Sequence, residues 1–310
     1  MIELISLIAF LLIAFSIGSN DTSNAFGICI GCRILSVKKA TILLFVFVLL
    51  GVSLQGDRVI KTVSHELVAT TIQISAVALV ISAVLIVLTN LRGFPVSTHQ
   101  VIVGSLFGSG VAFGTSVSFE TLSWIILSWL LSPFISGFLA VILFLLIEEL
   151  LKGHNVLKAE KFLRSLMLLS AILIAYNMGA NELATAIAPI AVGKDYFFTA
   201  LLGALSTSIG AFLLSKRIAE TLCKGITILD PKSGFSAHFG AGMTVYIFTI
   251  LGMPVSTTYS LVGGISAVGL YKGVKAVKFG TLKKIALNWI FAPFLAFILS
   301  SIASKLYLGA

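Results

Sequence analysis

The feature that most constrains the fold is a series of ten apolar segments, most of them long enough to cross a lipid bilayer. They cover residues 2–31, 37–55, 67–89, 94–113, 121–150, 163–193, 196–215, 235–252, 254–271 and 281–308. In lipid, only helices and closed barrels satisfy their own backbone groups, and apolar runs of this length are typical of helices. Buried helices of a soluble protein would need polar outer faces, but only 11% of the residues are charged. The sequence therefore predicts an all-α polytopic membrane protein.

Short motifs recur at a nearly constant spacing. Gly-Ser-Asn-Asp at residues 18–21 is followed 161 residues later by Gly-Ala-Asn-Glu at residues 179–182. Pro-Val-Ser-Thr occurs at residues 95–98 and again, 159 residues later, at residues 254–257. Repetition at one offset indicates a duplication. We predict two repeats of about five segments each, residues 1–155 and residues 156–310.

The positive charges are distributed unevenly between the loops. Of the 21 Lys and Arg residues, 17 follow the odd-numbered segments. By the positive-inside rule those loops are cytoplasmic, and both termini lie outside a cell membrane. Five segments are an odd number, so the second repeat is predicted to have inverted topology. The net charge of +9 is explained by these loops, and we expect membrane lipid rather than nucleic acid as a partner.

Only two acidic residues, Asp21 and Glu182, lie deep in apolar segments, and they occupy equivalent positions. An ionisable group within the membrane is a functional-site hypothesis by default, although a carboxyl group can also join neighbouring helices. We predict that both motifs break their helices into half-helices that meet near the bilayer midplane. Oxygen atoms beside the acids suit Na⁺, which predicts Na⁺ at Asp21 and Glu182. The predicted sodium-binding residues are Asn20, Asp21, Asn24, Asn181, Glu182 and Thr185. A proton carried on Asp21 or Glu182 is the alternative.

The two Pro-Val-Ser-Thr motifs open short segments. A helix N-terminus offers free N–H groups and a partial positive charge, which suit an oxyanion, although an ordinary capped helix start has the same sequence. The predicted anion-binding residues are Ser97, Thr98, His99, Gln100, Ser256, Thr257 and Thr258. The chain has no Gly-x4-Gly-Lys-Ser/Thr loop, so no nucleotide is expected. We expect Na⁺ as the coupling ion and no other cofactor.

Inverted repeats with broken helices and a midplane site are typical of secondary transporters. A channel is one alternative. An intramembrane hydrolase that uses Ser97 and His99, or the two acids as a dyad, is another. Residues two positions apart point to different faces of a helix, and the chain has no Gly-x-Ser-x-Gly elbow. We therefore predict a transporter and not an enzyme.

The four motifs resemble those of the PiT family of inorganic phosphate transporters, which carry a Gly-Ala-Asn-Asp-type and a Pro-Val-Ser-Thr-Thr-His-type motif in each half. The resemblance covers essentially the whole chain. It implies import of phosphate coupled to Na⁺ by alternating access, and it implies a homodimer. An H⁺-coupled phosphate permease or a sulfate permease of the same fold is the alternative.

The chain departs from the family pattern at four positions that bear on the ions. Glu182 replaces the usual Asp. The position of the usual His is taken by Gln100 in the first repeat and by Tyr259 in the second, while His99 replaces a Thr. These changes leave the choice between phosphate and sulfate open at the level of sequence.

Overall fold

The computed structural model describes residues 1–31, 33–91, 96–153, 155–191, 196–225, 230–273 and 279–309. The helices are α1 Ile2–Gly31, α2 Val37–Lys61, α3 Ile72–Leu91, α4 Thr98–Phe113, α5 Phe119–Leu151, α6 Val156–Asn177, α7 Ala184–Ile187, α8 Phe197–Gly225, α9 Pro231–Ile250, α10 Thr257–Lys272 and α11 Phe279–Gly309. Two π-helical stretches, Thr62–Glu66 and Met178–Leu183, extend α2 and join α6 to α7. The described residues form no β-strand.

Among the described residues, six helical stretches are long and apolar enough to cross a membrane, which confirms the all-α polytopic prediction. Every predicted apolar segment corresponds to one helix or, for the sixth, to α6 with its continuation through α7. The helices α4 and α10 have 16 residues each. At 1.5 Å per residue they are about 24 Å long, shorter than the roughly 30 Å hydrocarbon core. These two short helices therefore start or end inside the protein.

The predicted break at the first acidic motif is wrong, because α1 runs without interruption from Ile2 to Gly31. The hydroxyl groups of Ser19, Thr22 and Ser23 donate to backbone carbonyls three or four residues earlier, at 3.0, 2.5 and 2.7 Å. Such bonds satisfy hydroxyl groups within a helix. The motif thus keeps its polar side chains without unwinding the backbone.

The second acidic motif does not produce two half-helices either. The backbone stays helical but widens into the π-helical stretch Met178–Leu183 before α7 begins. Single π-helical turns inside α-helices occur frequently at functional sites. The prediction of a break is therefore corrected to a local widening that carries Asn181 and Glu182.

Helices of the two halves pack against one another in matching pairs. Helix α1 packs on α8, and the π-helical stretch that follows α6 packs on α2. A Cβ atom added at Gly18 would lie 1.8 Å from the carbonyl oxygen of Thr207, and one added at Gly179 would lie 1.9 Å from that of Val48. Small residues allow membrane helices to approach this closely. Each close approach thus repeats at the equivalent position of the other half.

The short helices show the same correspondence. Helix α4 packs on α11, and α10 packs on α5. A Cβ atom at Gly104 would lie 2.4 Å from the carbonyl oxygen of Pro293, and one at Gly263 would lie 2.1 Å from that of Pro133. Both glycines let a short helix rest directly on the backbone of a long one. The starts of both short helices lie at the same cavity as the polar residues of α1.

Candidate functional site

The repeated motifs of both halves meet at one cavity with a volume of about 220 Å³. A water molecule takes up about 30 Å³ of liquid, so the space can hold a small polyatomic ion with cations beside it. The cavity is lined by Asn20, Asp21, Ser23, Asn24, Val96, Ser97, Thr98, His99, Glu182, Ser256, Thr258 and Tyr259. No Lys or Arg is among these lining residues. The charged groups of the site are therefore two carboxyl groups.

Asp21 lies where α1 faces the start of α10. Residues three apart share one face of a helix, and Asn24 donates to Asp21 Oδ1 at 3.0 Å. The same amide nitrogen donates to Thr258 Oγ1 at 2.8 Å, and the Thr258 hydroxyl donates to Asp21 Oδ1 at 3.3 Å. The side chain of Asp21 is half-buried. This triangle holds one carboxylate oxygen and leaves the other for a ligand.

Glu182 lies on the π-helical stretch and is 3% exposed. Its Oε2 atom has no hydrogen-bond partner among the described residues. The hydroxyl of Thr257 lies next to this carboxyl group but forms no hydrogen bond with good geometry. A buried polar group without a partner is costly, so these atoms indicate a place for a bound ion.

Both short helices begin at a serine that does not cap them. Ser97 precedes α4 and Ser256 precedes α10 in extended conformation, and neither side chain bonds to a backbone N–H of its own helix. The Oγ atom of Ser97 and the Nε2 atom of His99 also lack partners in the described part of the chain. Because the hydroxyls are not used as caps, both helix starts present free donors towards the cavity.

Four predicted site residues do not line the cavity. The amide of Asn181 bonds to Thr249 and to the backbone that follows α9, and the Thr185 hydroxyl donates to the Asn181 carbonyl oxygen at 2.7 Å. Gln100 Oε1 accepts a hydrogen bond from the Tyr259 hydroxyl at 2.6 Å. Thr257 is buried just behind the lining residues. The remaining nine predicted residues lie at the cavity. Pro95, the first residue of one anion motif, lies outside the described residues.

Sequence reasoning missed Tyr259, which lines the cavity, and His238, which supports it through the backbone of Asn24. The ring of Tyr259 lines the cavity and stacks on Trp289 at a centroid distance of 4.1 Å. Its spacing of 159 residues from Gln100 was a usable signal. The buried His238 ring contacts Ser170 Oγ at 3.0 Å and the backbone carbonyl of Asn24. Nothing in the sequence repeats around His238, so no pattern indicated it.

The two halves of this helical membrane bundle share a polar cavity that contains two acids and two uncapped helix starts. This arrangement is that of a membrane transporter of small ions. The sequence profile of the phosphate transporter family matches residues 17–160 and 152–300, so the chain belongs to this family. Its members are transporters, which confirms the prediction that the protein is not an enzyme. The protein is therefore a multi-pass membrane protein of phosphate transport.

Several relatives cover nearly the whole chain. A protein of Methanocaldococcus jannaschii named "Putative phosphate permease" is 36% identical over 98% of this chain and 97% of its own length. A Haemophilus influenzae protein of the same name is 26% identical over 89% of this chain and 90% of its own length. A solved structure named "The sodium-dependent phosphate transporter" superposes with a TM-score of 0.87 at 25% identity, covering 99% of both chains.

Proposed function

We propose that this protein imports inorganic phosphate together with Na⁺ by alternating access. The observation that carries this proposal is the single cavity in which Asp21 and Glu182 face the uncapped starts of α4 and α10. The sodium dependence named for the solved relative supports Na⁺ as the coupling ion. The protein works in the cell membrane with both termini outside, as the distribution of Lys and Arg indicates, and as a homodimer, as the family resemblance implies.

Na⁺ binds at the two acids in this proposal. At Asp21, the neighbouring amide oxygens of Asn20 and Asn24 complete an oxygen-only ligand set, which suits a hard cation. The Asn24 nitrogen is already engaged with Asp21 and Thr258, so its oxygen is the end left for a cation. At Glu182 the free Oε2 atom provides the anionic ligand. Asn181 and Thr185 join this second site only after their present contacts open.

Phosphate binds between the starts of the two short helices. Ser97, Thr98 and His99 donate from the first half. Ser256 and Thr258 donate from the second half, and Thr257 joins them after its buried side chain turns towards the cavity. Gln100 accepts a hydrogen bond from Tyr259 behind them. The lining residues include no cationic side chain, so co-bound Na⁺ must balance the charge of the anion. This charge balance is the physical basis of coupling, because phosphate then binds well only when Na⁺ is present.

The free carboxylate oxygen of Glu182 favours phosphate over sulfate. At neutral pH phosphate carries at least one O–H group and can donate to a carboxylate, whereas sulfate has no proton to donate. A site with two acids beside the anion therefore repels sulfate more than phosphate. The burial of Glu182 also fits a carboxyl group that carries a proton, which makes H⁺ coupling the second candidate.

The duplicated architecture supports alternating access. We take residues 1–155 and 156–310 as inverted repeats, supported by the matching packing of α1 on α8 and of the widened end of α6 on α2. In such transporters one bundle moves against the other around a site near the midplane. The same cavity is then open to one side of the membrane at a time, and to the other side after the bundles have moved.

Uptake of radiolabelled phosphate into proteoliposomes tests the function. We expect saturable uptake with an inward Na⁺ gradient, inhibition by unlabelled phosphate and little inhibition by sulfate. Uptake driven by a proton gradient in Na⁺-free buffer would replace Na⁺ with H⁺. Non-saturating currents would indicate a channel, and uptake of sulfate without phosphate would overturn the assignment of the anion.

A further inference from the structure

Equivalent residues of the two halves have different exposure at the cavity. Asn20, Asp21 and Asn24 of the first half are half-buried and line the cavity. Their counterparts 161 residues later, Asn181, Glu182 and Thr185, are at most 3% exposed. The same difference separates Val96, which is half-buried, from Val255, which is 0% exposed. At these four pairs of positions the first half is thus more exposed than the second, although His99 is buried and its counterpart Thr258 is half-buried.

The side chain of Asn181 uses both ends of its amide to hold the second half. Its Nδ2 atom donates to Thr249 Oγ1 at 2.8 Å and to the Met253 carbonyl oxygen at 2.9 Å. Its Oδ1 atom accepts from the Val255 backbone N–H at 3.0 Å. These contacts join the π-helical stretch to the end of α9 and to the segment 251–256, which links α9 to α10. The position of the α10 start at the cavity therefore depends on Asn181.

Two further side chains bond to the linker or to the residue just before it. Arg58 on α2 donates to the carbonyl oxygen of Ile250 at 2.5 Å. Trp129 on α5 donates from Nε1 to the carbonyl oxygen of Pro254 at 2.7 Å. Of the three side chains that make these contacts, only Asn181 is adjacent in the chain to an acid of the cavity, Glu182. Asn181 is therefore the one that connects ion binding to the linker.

Asn20, the counterpart of Asn181, makes no equivalent contact. Among the described residues, its side chain forms no hydrogen bond to the Val96 backbone, which is the counterpart of Val255. It lines the cavity instead. One member of the repeated pair is thus engaged and the other is free, although both halves carry the same Asn before an acid and the same Val before Ser-Thr.

We propose that Asn181 is a latch, a positioning residue that keeps the second half of the cavity closed by holding the linker 251–256. This inference rests on the proposed alternating access. When the second half opens, Asn181 releases Met253 and Val255, and Asn20 forms the equivalent contact to Val96 and closes the first half. Asn181 thereby acts in this state through α10 rather than as an ion ligand.

The accessibility of two matched valines tests the latch. The three native cysteines are first replaced by Ser, and Val96→Cys or Val255→Cys is introduced into this background. Purified protein reacts with an anionic methanethiosulfonate. With Asn181 intact we expect Val96→Cys to react fast and Val255→Cys slowly. Asn181→Ala should accelerate the reaction at position 255 about tenfold and slow it at position 96, because loss of the latch shifts the equilibrium between the two states.

Asn177→Ala is the matched control. Asn177 is a buried amide one turn earlier that donates to the Gly242 carbonyl oxygen at 2.7 Å, and among the described residues its side chain forms no hydrogen bond to the linker. It should leave both rates unchanged. If Asn181→Ala yields no monodisperse protein, Thr249→Val removes one latch contact and should shift both rates in the same directions by a smaller factor.

Reciprocal changes in the two rates support the latch, since a merely structural role would not slow the reaction at position 96. Unchanged rates, or rates that rise together at both positions, would overturn it. The labelling does not require transport. Reciprocal labelling without phosphate uptake would therefore contradict the proposed function alone, and uptake with unchanged labelling would contradict the latch alone.

Discussion

The hydroxyl group of Tyr259 donates a 2.6 Å hydrogen bond to Oε1 of Gln100, and both side chains are buried. Each is the third residue of its short helix, Gln100 in α4 and Tyr259 in α10. The two residues stand 159 positions apart, the spacing of the repeated anion motifs. One contact thus joins equivalent positions of the two halves directly behind the cavity.

Tyr259→Phe should lower the free energy of unfolding by about 1–3 kcal/mol, because Gln100 Oε1 would stay buried without its donor. The ring and its stacking on Trp289 remain in this variant. Thermal unfolding in detergent measures the effect. Gln100→Leu in the Tyr259→Phe background removes the orphaned acceptor and should restore part of the loss. An unchanged melting temperature in Tyr259→Phe would contradict a structural role for the contact.

The sequence was sufficient for the fold class because lipid permits so few solutions. Ten apolar segments predicted ten helical stretches in the right places, including the short α4 and α10. The predicted break in α1 was wrong because hydroxyl groups of Ser19, Thr22 and Ser23 return to the helix backbone. Composition shows that a span contains polar residues, but it does not show whether their side chains form hydrogen bonds to the backbone of the same helix.

The sequence also located the site but not the orientation of each side chain. Asp21 and Glu182 were predictable as the only acids deep in apolar segments, and both line the cavity. Asn181 and Thr185 lie beside them in the chain but bond inside the protein. In a helix, neighbouring residues point in directions about 100° apart, and the widened turn at Met178–Leu183 changes those directions further. No spacing rule predicts that rotation.

The glycines at matched helix contacts should not tolerate a methyl group. Gly18→Ala or Gly179→Ala would place Cβ within 2 Å of a backbone oxygen of the facing helix. We expect either variant to lose about 3 kcal/mol of stability, the upper end of overpacking costs, because a backbone atom cannot move aside. The yield of monodisperse protein and its melting temperature measure this.

Gly234→Ala is the control for these variants. The nearest atom to a Cβ at Gly234 is Ile28 Cδ1 at 4.0 Å, so the methyl group has room. Since Ala favours a helix over Gly by up to about 1 kcal/mol, this variant should be as stable as the wild type or more stable. Equal losses in all three variants would show that close packing at Gly18 and Gly179 is not the cause.

Phosphate uptake should require both the charge and the length of the Glu182 side chain. Glu182→Gln removes the charge, and we expect phosphate uptake under a Na⁺ gradient to fall at least about tenfold, because the carboxylate no longer attracts a cation. Glu182→Asp keeps the charge but moves it back by one methylene group, so intermediate activity is expected. Initial rates at several Na⁺ concentrations measure both. Full activity in Glu182→Gln would exclude this acid from coupling.

Asp230, at the start of α9, should make stability depend on pH. Partial burial raises the pKa of Asp230, but hydrogen bonds and charge from Lys272, with hydrogen bonds from Ser233, outweigh this and hold the pKa at about 2. A depressed pKa means that the ionised group stabilises the fold above its ordinary pKa of 3.8 and loses this effect as pH falls towards 2.

Asp230→Asn tests this dependence, because Asn still caps a helix but carries no charge. The variant should melt below the wild type at pH 7, and the difference should shrink as pH falls from 4 towards 2. Melting curves of both proteins at pH 7, 4 and 3 provide the comparison. A difference that is the same at pH 3 as at pH 7 would show that the charge is not responsible.

We propose that Na⁺ and phosphate bind together in the cavity between the two halves. Equilibrium binding of radiolabelled phosphate to purified protein, in NaCl and in choline chloride of equal ionic strength, tests it most directly. For the wild type we predict phosphate affinity about 5- to 150-fold higher in Na⁺, the usual range of coupling between sites, and we predict that Asp21→Asn abolishes most of this difference. Equal affinity in both salts would contradict the account.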